Sequence, residues 1–390
     1  MASPSKIVSE YLQSQIARGA FPGAQYVIGE DHKIIAEDAL GLAVVEPERI
    51  PVTLDTIYDL ASLTKPLVTS LLAVIYADRA MIDLRAPVGD YLDEFSEEGK
   101  GRVTLVELLT HTSGLPNWRP LYLQAREPSD VPADIARILS SLPRSNASPA
   151  LVYSDLNYIL LGYVLERVTG ERLDRLAEKE IFKPLGLKRT MFNPPSDLMR
   201  ETAATERGQM FEQANALEEM AISSPAQSAE NSSGNPGAPD RTWRNNVIWG
   251  EVHDGNAHFL GGVAGHAGLF STAREVFKIA SQFLQGSELV KSDSLPLFTK
   301  NLTPGQGTAR SIACIIAQTK DCAAGPALAP NGIGHNGFTG TSVWMDPEKR
   351  RVFVLLSNRI HPKVVTIDMK EIRQQFNRLA VESLNGEMES

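Results

Sequence analysis

Cysteine is scarce. The 390 residues hold two, Cys314 and Cys322, without the C-x-x-C spacing of a zinc or redox site, so they read as unpaired small apolar residues rather than a disulfide framework. No apolar run reaches the roughly 18 to 20 residues of a membrane span. The opening MASPSKIVSEYLQSQIARG is too polar for a secretory leader, so a cytoplasmic setting is expected. No basic block interrupts a net charge of -9, which repels nucleic acid and anionic lipid and removes both as expected partners. No internal repeat is present. The G-x-S-x-G elbow of α/β-hydrolases does not occur, and the glycines of GGVAGHAG lack the Lys-Ser/Thr that completes a phosphate loop.

What is present is an ordinary globular composition, 43% hydrophobic and 22% charged, in a chain long enough for two lobes with cores. Residues 5 to 18 carry apolar positions at helical spacing, and AQYVIGEDHKIIAEDALG reads as strand, Asp-His turn, strand. From Thr69 to Ala80 nearly every face is apolar, which predicts a helix buried between layers. Residues 104 to 190 are helical in pattern. Thr104 and Glu107 form a capping box, Gly114 is expected to close that helix, and Ser154 or Asp155 caps a second one ending at Gly170. Residues 212 to 246, rich in Ser, Pro, Gly and Asn, read as a mobile loop. GTSVWMDPEKRRVFVLLSN is a second hairpin, and residues 366 to 384 form an amphipathic terminal helix. Hairpins at both ends with helices between predict one antiparallel sheet built from the two termini, with a helical lobe inserted.

The segment DLASLTKPLVTS sets Ser62 three places before Lys65. Pro66 is tolerated only near a helix start, so the helix begins close to Ser62. Positions three apart on a helix are neighbours, and the hydroxyl can therefore attack while the amine takes its proton. A lysine does this at neutral pH only if desolvation or a neighbouring cation lowers its pKa from about 10.4. Ser3 and Lys6 repeat the same tetrad in the terminus, so the motif alone is weak. Further segments strengthen it: LLTHTSGLP, YSDLNYILLG with Tyr153 ahead of a capped helix, GGVAGHAGLFSTA, and GIGHNGFTGTS, where small residues admit a ligand to a strand edge.

Taken together and in this order, these motifs resemble the serine β-lactamase and penicillin-binding protein superfamily, in the branch of class C β-lactamases, D-alanyl-D-alanine carboxypeptidases and family VIII carboxylesterases. The likeness covers nearly the whole chain. It implies an α/β (α+β) serine β-lactamase-like fold, with the sheet domain formed by residues 1–80 and 247–390, the helical domain by 81–211, and the loop 212–246 over the cleft. It implies Ser62 as nucleophile, Lys65 and Tyr153 sharing general acid-base work, and the backbone N–H groups of Ser62 and Phe338 as oxyanion hole. His335, Asn336, Gly337, Asp155 and Arg359 would contact substrate. No cofactor or metal is implied, and the expected course is an acyl-enzyme on Ser62 released by water.

Three positions depart from the pattern. His335 stands where a lysine usually holds a substrate carboxylate, and Asn336 replaces the usual threonine, which favours uncharged esters unless Arg359 restores the contact. Asp155 occupies a place that often holds asparagine. A carboxylate there would stabilise the Lys65 ammonium, the wrong direction for a base. The histidines of VHDGNAHFLGGVAGHAG (His253, His258 and His266) with Asp254 read as cleft-wall scaffolding rather than metal ligands. The expected activity is a carboxylesterase on small esters. The alternatives are a D-alanyl-D-alanine carboxypeptidase or β-lactamase on the same nucleophile, and a non-catalytic module that binds cell-wall fragments or a partner protein.

Overall fold

The computed structural model describes residues 4–96, 102–142, 150–223 and 243–386. Helix α1 (Pro4–Ala17) leads into the hairpin of β1 (Gly23–Glu30) and β2 (Lys33–Val44). Asp31 and His32 turn it with φ of 51° and 61°, the left-handed pair that a two-residue hairpin loop requires. Strands β3 (Ile50–Pro51) and β4 (Tyr58–Asp59) precede the central helix. That helix opens with a 3-10 turn at Ala61–Leu63 and a π-helical stretch at Lys65–Ser70, and continues as α2 (Leu71–Asp78). The inserted lobe contains α3 (Leu105–Thr110), α4 (Val131–Ser141), α5 (Asp155–Thr169) and α6 (Leu173–Ala177). Then come β5 (Met191–Phe192), α7 (Met210–Ser223), α8 (Gly255–Phe259), β6 (Leu269–Ser271) and α9 (Ala273–Ala280). The chain returns through β7 (Ile315–Ile316), β8 (Ile333–Asn336), β9 (Ser342–Asp346) and β10 (Arg351–Ser357) to α10 (Met369–Asn385).

The two terminal hairpins join in one seven-stranded antiparallel sheet ordered β3-β2-β1-β10-β9-β8-β7. β1 lies beside β10 with Ala24 opposite Ser357 and Glu30 opposite Arg351. Alternate residues of these strands point to opposite faces. Tyr26, Ile28, Phe353 and Leu355 pack with Val8, Leu12 and Phe376 of α1 and α10. Val27, Val352, Val354 and Leu356 belong to the other core, which contains Val276 and Phe277 of α9 and Leu71 to Tyr76 of α2. Both faces are therefore covered, which is why these central strands read as apolar runs rather than as an alternation.

The sequence expectations meet the structure unevenly. The Thr104–Glu107 capping box forms, with Thr104 N donating to Glu107 Oε2 at 2.8 Å. The left-handed residue that closes α3 is His111 (φ 61°), however, and not Gly114, which lies beyond the helix in the following turn. The expectation of a loop from residue 212 also gives way. α7 runs to Ser223, because MFEQANALEEMA is made of good helix formers and buries Glu212 and Ala216 one turn apart. Composition averaged over 212–246 hides this helix, and residues 224–242 lie outside the described residues. A second, three-stranded sheet, β4-β6-β5, was not foreseen, since strands of two or three residues carry no legible period.

That small sheet fixes the start of the central helix. Tyr58 pairs with Ser271 and Asp59 with Phe270, and Leu60 N donates to Leu269 O at 2.9 Å. Asp59, fully buried, accepts from Ala61 N and His253 N, both at 2.8 Å. Ala61 has φ 47°, a conformation alanine adopts only when its surroundings impose it.

Candidate active site

Ser62 occupies the turn that these bonds pin, and Lys65 lies one turn on, wholly buried. Lys65 Nζ is 2.9 Å from Ser62 Oγ, 3.1 Å from His266 O and 2.7 Å from Asp155 Oδ1. Two of the ammonium's N–H donors are taken by hydrogen bonds to Ser62 Oγ and His266 O, and its charge is paired with the Asp155 carboxylate. His266 O reaches Lys65 because Gly265 lets its segment lie on the backbone of α5. A Cβ at Gly265 would come within 2.0 Å of Tyr158 O.

The electrostatics correct the expectation of an uncharged amine. Burial alone would drive Lys65 toward neutrality, but the carboxylate of Asp155, with Tyr153 acting in the same direction, outweighs it and raises the pKa above the ordinary lysine value. Lys65 is held as an ammonium. Asp155, expected at the substrate, lines the cavity at Ser62 and is engaged with Lys65. Its position at the start of α5 aims it inward, and its own N–H is held by Asn117 O at 2.9 Å.

Tyr153 precedes Ser154, the N-cap of α5. Its hydroxyl is buried and has no hydrogen-bond partner among the described residues. Two cations approach its ring: Lys65 Nζ at 5.0 Å and the Arg310 guanidinium at 5.3 Å from the centroid. The His335 ring lies 5.7 Å from that of Tyr153. Burial first, then the charges of Arg310 and Lys65, push the His335 pKa well below the usual histidine value, so it is neutral. Its Nδ1 is 2.9 Å from Asn336 O, while its Nε2 and Asn336 Oδ1 are without partners among the described residues.

Gly337 is required by packing. A Cβ there would stand 2.1 Å from Thr341 Oγ1 and 2.6 Å from Leu60 O, so the expected oxyanion strand and the nucleophile turn lie backbone to backbone only because this residue has no side chain. Phe338 follows, framed by Phe211 of α7 at 5.0 Å and by the His253 ring at 5.7 Å. Arg359 lines the cavity beside Ser62 and also braces its wall. Its Nε donates to Phe338 O at 2.9 Å and its guanidinium lies 4.9 Å over the Phe338 ring. Arg373 of α10, which no motif announced, clamps the same loop by donating from Nη2 to Gly337 O and Thr341 O, both at 3.0 Å.

Two cavities meet at Ser62. One, about 480 Å³, is lined by Trp118, Tyr153, Phe211, His253 and Phe338 and by the carboxyl side chains of Glu212 and Asp254. Burial and the neighbouring Asp254 push the Glu212 carboxyl up to about 7. The other, about 440 Å³, is lined by Tyr153, Arg310, His335, Arg359 and Arg373. Arg310 was missed in the sequence because it precedes a two-residue strand in a stretch with no recognisable pattern. It is buried, and its Nε and Nη1 have no hydrogen-bond partner among the described residues. The histidines considered as scaffolding each face a carboxylate: His253 with Glu206 at 2.9 Å, His266 with Asp254 at 2.8 Å, and His258 with Glu251 at 3.6 Å.

Comparison with known proteins places this geometry among relatives. A family model described as Beta-lactamase matches residues 7–376. The N-acetylmuramyl-L-alanine amidase of Bacillus subtilis (strain 168) is 30% identical over 388 residues, covering 92% of this chain and 81% of that protein. A provisionally named D-alanyl-D-alanine carboxypeptidase of Escherichia coli (strain K12) is 27% identical over 385 residues, covering 92% of this chain and 82% of that protein. Among solved structures, the class C beta lactamase from Rhodobacter sphaeroides superposes with a TM-score of 0.71 at 19% identity, over 97% of this chain and 100% of that one. EstCE1, a hydrolase with promiscuous acyltransferase activity, does so with 0.69 at 19% identity, over 98% of both chains. At such identities the structures speak for the fold.

Proposed function

The chain belongs to the beta-lactamase family of serine hydrolases, and from that membership we propose that it is a carboxylesterase acting on small esters through an acyl-enzyme on Ser62. The observation that carries the reading is the 2.9 Å contact between Lys65 Nζ and Ser62 Oγ at the floor of an open cleft. Neutral His335, standing where the family usually has a lysine, supports turnover of substrates without a carboxylate.

In the proposed course Oγ of Ser62 attacks the ester carbon, and the carbonyl oxygen becomes an oxyanion facing the N–H groups of Ser62 and Phe338. Each such donor typically contributes about 3 to 4 kcal/mol in the transition state. Tyr153 relays the proton: its oxygen takes the hydrogen of Oγ while its own phenolic hydrogen passes to the departing alkoxide. Lys65, already an ammonium, contributes charge rather than basicity, since it is paired with the Asp155 carboxylate. Water then attacks the acyl-enzyme along the reverse path, giving the acid and free Ser62.

A second reading, hydrolysis of D-alanyl peptides or β-lactams, is favoured by one observation: the buried guanidinium of Arg310, without partners at Nε and Nη1, lines the cavity beside Ser62 and suits a substrate carboxylate. Comparing kcat/KM for a short p-nitrophenyl ester, a chromogenic cephalosporin and a D-alanyl-D-alanine peptide separates the two. Faster ester turnover is expected. A peptide or cephalosporin turned over more efficiently than the ester moves the assignment to the second reading.

A further inference from the structure

We propose that His111 is a positioning residue for Tyr153, holding the chain on both sides of it. The inference rests on the reading of Tyr153 as the proton carrier.

His111 sits just beyond α3 in the left-handed region (φ 61°, ψ 35°), a conformation that for a residue with a Cβ is uncommon and is found at functional sites. Turned this way, it presents two acceptors to one short segment. Val152 N donates to His111 O at 3.1 Å, and Ser154 N donates to His111 Nδ1 at 3.0 Å. These are the residues immediately before and after Tyr153. The His111 ring itself packs on the Tyr153 ring, with centroids 4.5 Å apart and planes at 38°.

This matters because the tip of Tyr153, which Lys65 approaches, is fixed by no well-formed hydrogen bond among the described residues. Lys65, Arg310 and His335 surround the ring, and the backbone at 152 and 154 with the His111 ring sets the position from which the phenol reaches them. Nδ1 accepts an amide hydrogen bond, which requires the tautomer protonated at Nε2 and a neutral ring. Burial, followed by the charges of Arg310 and Lys65, keeps the ring neutral. A displacement of about 1 Å in a proton-transfer group costs on the order of 100-fold in rate, so a clamp of this kind is worth as much as the group it positions.

Glycine and asparagine both adopt the left-handed conformation readily, but only asparagine keeps an acceptor near the place of Nδ1. The variants His111→Gly, His111→Asn and Tyr153→Phe are compared on a short p-nitrophenyl ester, at a temperature where circular dichroism shows each folded. His111→Gly is expected to lose about 30-fold or more in kcat with KM within about threefold, and His111→Asn to stay within about fivefold of the parent. Tyr153→Phe is expected to lose about 100-fold or more. If Tyr153→Phe loses its activity while His111→Gly does not, or if glycine and asparagine fall equally, the clamp is wrong and the reading of Tyr153 stands. If Tyr153→Phe loses less than about fivefold, that reading falls and the clamp falls with it.

Discussion

Lys65 Nζ lies 2.7 Å from Asp155 Oδ1 and 2.9 Å from Ser62 Oγ, so one buried ammonium joins a carboxylate to the candidate nucleophile. Without Asp155, burial is the dominant influence on Lys65 and pushes its pKa down. Asp155→Asn is therefore expected to move the alkaline limb of the pH profile of kcat/KM to lower pH by about one unit or more, because the ammonium is lost sooner, and to leave the acid limb in place. A shift of the acid limb instead would show that Lys65 works as a neutral base.

Gly337→Ala places a methyl group 2.6 Å from Leu60 O and 2.1 Å from Thr341 Oγ1. Real Cβ atoms do not tolerate either approach, so the strand must withdraw from the nucleophile turn. Turnover is expected to fall about 100-fold or more, the usual scale for a displaced oxyanion donor. Retention of more than about a tenth of the activity would mean that Gly337 does not fix this approach.

Arg310→Gln removes the charge that faces the second cavity. Charge-assisted hydrogen bonds contribute about 1.5 to 3 kcal/mol, so a carboxylated ester is expected to lose about 10- to 100-fold in kcat/KM relative to its uncharged counterpart. Equal effects on both esters would remove Arg310 from substrate recognition.

Glu212 is the buried carboxyl pushed up to about 7. An acid whose pKa is raised in the folded state contributes stability that is complete below its unfolded pKa of about 4.3 and is lost as pH rises to about 7. Glu212→Gln keeps an acceptor for Gly255 N, which now donates to Oε2 at 2.9 Å, and abolishes the titration. Its Tm is expected to exceed that of the parent by about 2 °C or more at pH 8 and to match it near pH 4.5. A difference of the same size at both pH values would assign the effect to packing.

Much of this frame was legible from residue patterns. The Asp-His turn, the Thr104–Glu107 box, the apolar central helix and the two hairpins each carry a strong local signal, and Pro66 located the helix start beside Ser62. Other features have no such signal. Arg310 and Arg373 come to the cleft from segments far from it in the chain, and only the fold brings them there. The αL position fell on His111 because the hydrogen bonds to Val152 and Ser154 require it there, although the nearby Gly114 is the better residue by propensity. Asp155 could be recognised as an unusual carboxylate, but whether it faced Lys65 depended on where α5 begins.

The most direct test is a covalent one. The protein is quenched during turnover of a slow ester, and separately after fluorophosphonate treatment, and each sample is digested and mapped by mass spectrometry beside Ser62→Ala. The account predicts the acyl and phosphonyl masses on the peptide bearing Ser62, with neither adduct nor turnover in a folded Ser62→Ala protein. An adduct on another residue, or undiminished hydrolysis by Ser62→Ala, would contradict it.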